Sequence, residues 1–144
     1  MSLKDAELVP LPHTAQNRCF GCGTNNPHGL HLEFYKTADD SVVTLPVIPD
    51  TFEGPAGYLH GGIIATLLDE AMSKAMRVHG LAAMTRHMEV DYLKPVPSTR
   101  PLRIEARRSH CEGKKHYAQA QILNADGEAL AKAKALFIEV KRIE

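Results

Sequence analysis

The chain has 144 residues, 44% of them hydrophobic, which suits one globular domain with a real core. Its 17 basic and 17 acidic residues give a formal net charge of zero, so no overall field favours nucleic acid or an anionic membrane as a partner. No apolar run approaches the ~20 residues of a membrane-spanning helix, and residues 1–12 lack the pattern of a secretory signal. Cys19, Cys22 and Cys111 are an odd number and suggest no disulfide framework, so we expect a cytoplasmic protein.

The N-terminal region, residues 1–29, is expected to be an extended arm and a turn-rich segment packed on a domain that covers residues 30–144. Glycines and an Asn-Pro pair after Cys19 are typical of tight turns. Alternation of apolar and polar residues then predicts a strand over residues 30–35, followed by a second strand over residues 41–47.

One long helix is predicted from about Gly61 to about Val78, and Gly80 follows it as a C-terminal stop. A wide apolar stripe at helical spacing predicts that this helix is buried on most sides. The stripe consists of Ile63, Ile64, Leu67, Leu68, Ala71, Met72, Ala75 and Met76.

The remaining chain is predicted to form four strands. They cover residues 85–93, 102–110, 116–123 and 129–140, with hairpin turns at Glu112-Gly113 and Asp126-Gly127. Alanines recur at a period of two over residues 129–135, which indicates a sheet face where a helix packs closely. The element order therefore predicts an α+β fold, an antiparallel sheet of about six strands curled around one long helix, with a second copy covering exposed sheet.

The most informative motif is His60-Gly61-Gly62 at the start of the helix, followed on the same helix by Asp69. Bare backbone N–H groups and the helix dipole at such a start can bind a carbonyl oxygen that becomes negative during acyl transfer. A carboxylate can then act as base or nucleophile. Gly61 and Asp69 lie ~12 Å apart along the helix, so both can act on one carbonyl only if they come from two chains, which predicts a dimer.

The element order and the run from His60 to Asp69 resemble the hotdog-fold acyl-CoA thioesterases of the 4-hydroxybenzoyl-CoA thioesterase superfamily. Residues 85–95, which end in an aromatic residue, a lysine and a proline, and the Cys/Gly-rich segment with Asn26-Pro27 are similar to segments of the same family. The resemblance covers roughly residues 19–140 and implies paired active sites in a homodimer, often within a homotetramer.

The resemblance also implies roles for single residues. The N–H of Gly61 or Gly62 would polarise the thioester carbonyl, and Asp69 of the partner chain would activate water or attack to form a mixed anhydride. Thr85 occupies the position of a hydroxyl that helps to hold the water or the carboxylate, and His60 is expected to orient the loop. The family often has an amide or acidic side chain about six residues before the histidine, where this chain has Gly54 with Glu53 beside it.

Glu70 is a second carboxylate on the helix, and it precedes Lys74 by four residues, so a surface ion pair is the expected role. It is the reserve candidate for catalysis after Asp69.

Coenzyme A carries phosphates, so its site needs cations near the entrance. Lys114 and Lys115, at a turn after Gly113, are the best local cluster, and Lys94 is a further candidate.

The Cys19-x-x-Cys22 pair with His28 and His31 resembles part of a zinc knuckle, but no second Cys or His pair follows at the usual spacing. We therefore expect no metal in this segment and no bound cofactor in the protein.

The function expected from these observations is hydrolysis of an acyl-CoA to a carboxylic acid and coenzyme A. A hotdog hydratase or dehydratase is an alternative, with His60 as its only candidate catalytic histidine near the helix start. A non-catalytic acyl-CoA binding protein is the third hypothesis. The identity of the acyl chain stays open, because pocket depth depends on how the partner chain and residues 1–29 close the site.

Overall fold

The computed structural model describes residues 8–12 and 17–142. Within them lie seven strands: β1 (Val9–Pro10), β2 (Tyr35–Lys36), β3 (Val42–Thr44), β4 (Leu81–Tyr92), β5 (Arg103–Glu112), β6 (Lys115–Leu123) and β7 (Ala129–Arg142). One α-helix, α1 (Gly61–Val78), and a 3-10 turn at Asp50–Phe52 complete the secondary structure of these residues. The strands form one antiparallel sheet in the order β1-β2-β3-β5-β6-β7-β4. This is the predicted hotdog architecture, one helix packed against an antiparallel sheet.

The helix α1 begins at Gly61 and ends at Val78, as the sequence predicts. Its apolar face is buried against the sheet through Ile64, Leu67, Leu68, Ala71, Met72, Ala75 and Met76. Gly80 adopts a φ of +73°, which ends the helix and leads directly into β4. The alanines at positions 131, 133 and 135 of β7 are buried, so the alanine-rich run is a strand.

The prediction of a strand over residues 30–35 is largely wrong. Only Tyr35 of that run belongs to a strand, although the side chains from Leu30 to Phe34 do alternate between buried and exposed. The backbone here bonds to a turn instead of a neighbouring strand, since the N–H of Leu30 donates to the carbonyl of Phe20 at 2.7 Å. His31 has a φ of +51°, which breaks the extended conformation that a continuous ladder needs.

The other strands agree with their predicted positions, with shifted ends. The second strand is shorter than predicted, and β4 begins four residues earlier, at Leu81. Both predicted hairpins form, with Gly113 at a φ of +60° and Gly127 at +82°. The expectation of an arm over residues 1–29 falls partly on residues 1–7 and 13–16, which lie outside the described residues.

Strand β4 forms one edge of the sheet. It pairs with β7 on one side and with no other described strand on the other. Met84 is 67% exposed and Tyr92 55% exposed along this edge. A long edge strand with exposed apolar side chains is a surface on which a further strand can pair.

Candidate active site

The start of α1 offers a free backbone donor. His60 is the residue before the helix, in an extended conformation (φ −61°, ψ 141°), and its Nδ1 accepts a hydrogen bond from the N–H of Gly62 at 2.9 Å. The Gly62 donor is therefore occupied, whereas the N–H of Gly61 donates to no other described residue. Of the two glycines singled out in the sequence, Gly61 is thus the one whose N–H can face a ligand.

The loop before the helix holds His60 in this position. The N–H of His60 donates to the carbonyl of Phe52 at 3.0 Å, and the N–H of Leu59 donates to Val96 at 2.8 Å. A Cβ at Gly54 would lie 3.2 Å from Cα of His60, so the absence of a side chain at this position allows a close approach of the two backbones.

The carboxylate of Glu53 accepts a hydrogen bond from the hydroxyl of Ser98. This hydrogen bond lowers the pKa of Glu53 below its ordinary value, because it stabilises the charged form. The position where the family often has a polar group is therefore occupied by Gly54 packed on His60, and the carboxylate beside it is turned toward Ser98.

Asp69 is paired with Thr85, and its carboxylate is one of the two partners, water or the carboxylate, that the family resemblance implied for the Thr85 hydroxyl. The hydroxyl of Thr85, on β4, donates to Oδ1 of Asp69, on α1, at 2.6 Å. Asp69 is partly exposed and Thr85 is exposed, so the second carboxylate oxygen remains open to a ligand or water. The hydrogen bond holds the carboxylate in one orientation beside β4, the edge strand of the described sheet.

Tyr92 is a residue at this site to which the sequence reasoning gave no role. Its hydroxyl donates to the carbonyl of Gly61 at 3.0 Å, and a Cβ added to this glycine would lie 3.8 Å from the tyrosine ring. Tyr92 thus fixes the start of α1 against the end of β4. The aromatic residue before Lys94-Pro95 was visible in the sequence as part of the family resemblance, but its partner was not.

Within one chain the two candidate groups are far apart. Gly61 and Asp69 are separated by eight residues of continuous helix, which is ~12 Å along the axis. On β4, Tyr92 is the partner of Gly61 and Thr85 is the partner of Asp69, and these two strand residues are separated by about 23 Å if the strand is fully extended. A single chain therefore has a donor at one end of β4 and a carboxylate near the middle of α1.

Glu70, the reserve carboxylate, is directed away from Asp69 into a contact with the N-terminal segment. Its Oε1 lies 3.8 Å from Nζ of Lys74, which confirms the expected pair, but both side chains are only 13–14% exposed. Its Oε2 accepts a hydrogen bond from the thiol of Cys19 at 3.4 Å. The neighbouring Cys22 is buried, and burial raises the pKa of its thiol to about 11.

The lysines proposed for coenzyme A lie in two different places. Lys94 is exposed, pairs with Glu128 and borders a cavity of about 750 Å³ together with Tyr58 and Arg100. Lys114 and Lys115 are exposed at the β5–β6 hairpin, where Lys115 is in register with Ile138, itself in register with Met84 of β4. In a single chain these two lysines are thus at the end of the sheet remote from Gly61.

The fold defines a protein of the hotdog class, and the N–H of Gly61 at the start of its helix has no partner among the described residues. The thioesterase superfamily model matches residues 56–131, a span that includes Gly61, Asp69, Thr85 and Tyr92. The chain belongs to this superfamily.

Proteins of the same superfamily are similar to this chain along most of its length. Acyl-coenzyme A thioesterase THEM4 of Xenopus laevis is 33% identical over 108 residues, which are 74% of this chain and 49% of that protein. The Rattus norvegicus THEM4 is 31% identical over 116 residues, 78% of this chain and 50% of that protein. The chain thus spans about half the length of the curated relatives it matches.

Solved structures show the same fold. A thioesterase superfamily protein superposes with a TM-score of 0.81 at 27% identity, over 85% of this chain and 60% of the other. A Streptococcus mutans protein solved with acetyl CoA bound superposes with a TM-score of 0.77 at 20% identity, over 92% of this chain and 100% of that one. Among the described residues, no helix is long and apolar enough to cross a bilayer.

Proposed function

We propose that the chain is an acyl-CoA thioesterase whose site is formed by two subunits. The observation that carries the proposal is the exposed N–H of Gly61 at the start of α1, on the same helix as a carboxylate held by Thr85. In the proposed reaction the Gly61 N–H binds the thioester carbonyl oxygen as it becomes negative. Asp69 of the partner subunit takes a proton from water, or attacks the carbonyl itself. In the first route the hydroxide formed from water bonds to the carbonyl carbon, the C–S bond breaks, and the proton held by Asp69 passes to the sulfur, so that coenzyme A leaves as a thiol and the acyl group as a carboxylic acid. In the second route the C–S bond breaks as the anhydride with Asp69 forms; water then hydrolyses this anhydride, which frees the carboxylate and Asp69 and supplies the proton that the coenzyme A thiolate takes up.

The two-subunit site is supported by the edge strand. If β4 of one subunit pairs with β4 of another in antiparallel fashion, the two α1 helices run antiparallel across the interface. The ~12 Å between Gly61 and Asp69 in one chain is then bridged by the second copy. We propose a homodimer on this basis, and a dimer of dimers as the larger assembly. Light scattering at several concentrations measures which of the two is present.

The hydratase alternative requires His60 to transfer protons. Its Nδ1 accepts the Gly62 N–H, which is a capping contact that orders the helix start. This supports the positioning role and favours hydrolysis over hydration. We further propose a reducing, cytoplasmic setting, because the cysteines are three in number.

A panel of short, long and aromatic acyl-CoAs, read by release of free thiol, tests the proposed activity. Turnover of one class identifies the acyl group. Reversible hydration of an enoyl-CoA without thiol release would replace the proposal by the hydratase, and tight binding without either reaction would replace it by a binding protein.

Thr85 is expected to position Asp69. Thr85→Ala removes the 2.6 Å hydrogen bond and should lower kcat by about tenfold, on the order of the 1.4 kcal/mol that one such bond contributes. Thr85→Ser keeps the hydroxyl and should restore most of kcat. Steady-state thiol release measures both variants, and equal losses in the two would assign Thr85 to packing instead.

Lys114 and Lys115 are proposed to bind the phosphates of coenzyme A bound at the partner subunit's Gly61. In the antiparallel pairing, the end of β4 near Met84 lies beside the opposite end of the other β4, so the hairpin of one subunit approaches the site that contains the other's Gly61. This arrangement accounts for the distance between these lysines and Gly61 within one chain.

The double variant Lys114→Ala, Lys115→Ala tests whether these lysines bind the phosphates of coenzyme A. Each exposed charge contact contributes about 0.2–1 kcal/mol, so KM for acyl-CoA should rise roughly two- to thirtyfold with little change in kcat. A truncated thioester without the nucleotide should be unaffected, and added salt should reduce the difference. Lys36→Ala, at the other side of the sheet, is the matched control. If KM does not change, the cavity beside Lys94 and Arg100 is the next candidate.

A further inference from the structure

A second cluster of reactive side chains lies where the N-terminal turn contacts α1 at Glu70, one residue after Asp69. The ligand-type atoms of Cys19, Cys22 and Glu70 all lie within 4.8 Å of one another. Cys22 is 2% exposed, Cys19 is partly buried and Glu70 has a side-chain exposure of 14%. None of the three takes part in the reaction proposed above.

Two glycines let the cysteine turn sit directly on the helix. A Cβ at Gly21 would lie 2.7 Å from Cγ of Glu70, and a Cβ at Gly23 would lie 2.4 Å from the backbone nitrogen of Cys19. Contacts this short do not occur, so a side chain at Gly23 would force the backbone of the turn to change, and a side chain at Gly21 would displace the Glu70 side chain from the turn. The glycines therefore allow the two thiols to lie against the carboxylate of Glu70, which is 51 residues beyond Cys19 in the chain.

The surroundings orient the three ligand-type groups. Asn17 accepts the Cys19 N–H through Oδ1 at 3.0 Å and approaches the sulfur of Cys22 with Nδ2 at 3.4 Å. Glu70 divides its oxygens between two neighbours, with Oε2 facing Cys19 and Oε1 facing Lys74. One carboxylate oxygen thus faces the thiols while the other faces a fixed positive charge.

We propose that Cys19, Cys22 and Glu70 bind one divalent cation of the Zn²⁺ type. Thiolate sulfur and carboxylate oxygen are ligands that Zn²⁺ takes, and three protein ligands leave its fourth position to water. Binding releases the two thiol protons. The three negative charges of the ligands are then balanced by the ion together with Lys74.

This proposal reverses the expectation of a metal-free segment. That expectation rested on the loose spacing of His28 and His31 relative to the usual second ligand pair, and the third ligand instead comes from α1. His28 and His31, the histidines considered from the sequence, do not belong to the cluster, and His31 bonds to the carbonyl of Asn26. The ion would tie the N-terminal turn to the helix that carries Asp69.

The experiment is a titration of the full-length, reduced, chelator-treated protein with Co²⁺, followed by competition with Zn²⁺. We expect about one ion per chain, with the near-ultraviolet absorption of thiolate-to-cobalt charge transfer. Zn²⁺ should abolish this absorption and raise Tm, because it binds the folded state. A wild-type protein that shows no charge-transfer band and no stoichiometric Zn²⁺ would overturn the proposal without any variant.

Variants assign the ligands. Cys19→Ser combined with Cys22→Ser should remove the absorption, and Glu70→Gln should lower affinity by about tenfold or more, since loss of an outer partner alone costs that much. Cys111→Ser, which changes an exposed cysteine on β5, is the matched control and should bind as the wild type does. Binding that survives the double serine variant, or that is lost in Cys111→Ser, would contradict the assignment. Circular dichroism verifies that each variant is folded.

Discussion

Replacing Asp69 with asparagine should lower kcat by about 10²–10⁴-fold, the contribution typical of a general base. The amide has nearly the same shape and its oxygen can still accept the Thr85 hydrogen bond, so the fold and the dimer should remain. It can neither take a proton from water nor attack a carbonyl. The measurement is thiol release from the best acyl-CoA of the panel, at saturating substrate, so that kcat is separated from KM.

The control for Asp69→Asn is a charge-matched change away from α1. Asp126→Asn lies in the exposed hairpin between β6 and β7 and should leave kcat unchanged. If Asp69→Asn retains half of the wild-type rate, Asp69 is not the base or nucleophile. Glu70→Gln would then be the next variant, although the Cys19–Gly21 turn covers this side chain.

Local patterns predicted the elements that build the site. The apolar period of α1 and the glycine after it defined the helix from Gly61 to Val78, and the two hairpin glycines defined how β5, β6 and β7 follow one another. These features depend on residues that are close in sequence, so their signal does not need the tertiary structure.

Contacts between segments that are distant in sequence could not be predicted from local patterns. The bond from Leu30 to the Cys19–Gly23 turn replaces the strand that alternation predicted over residues 30–35, and no local signal distinguishes the two. Cys19 and Glu70, which are in contact, are 51 residues apart in the chain. The helical spacing predicted a contact of Glu70 with Lys74 alone. The pairing of Thr85 with Asp69 was expected only from the family resemblance. Local patterns could not predict it, because sixteen residues and a helix-to-strand connection separate the two residues.

Mixed dimers give the most direct test of the proposal that Gly61 of one subunit and Asp69 of the other form one site. Gly61→Pro removes the proposed donor, and loss of such a donor costs about 10²–10³ in kcat. The helix should tolerate proline at this position, since its first residue has no partner for its N–H. His60, at φ −61° and ψ 141°, already has the extended conformation required before a proline. Gly61→Ala keeps the N–H and is the matched control, with Tyr92 3.8 Å from the added Cβ.

A chain with Asp69→Asn and a chain with Gly61→Pro should each be nearly inactive alone. In a hybrid dimer one site combines the intact Gly61 of the first chain with the intact Asp69 of the second, while the other site lacks both groups. Random mixing in equal amounts makes half of the dimers hybrids, so activity should recover to about a quarter of the wild-type value per chain. Two affinity tags, purified in sequence, verify that hybrids form. Hybrids that form and stay inactive would mean that Gly61 and Asp69 do not act together across the interface. Because the two groups are also too far apart to act together within one chain, at least one of them would then have no part in the reaction.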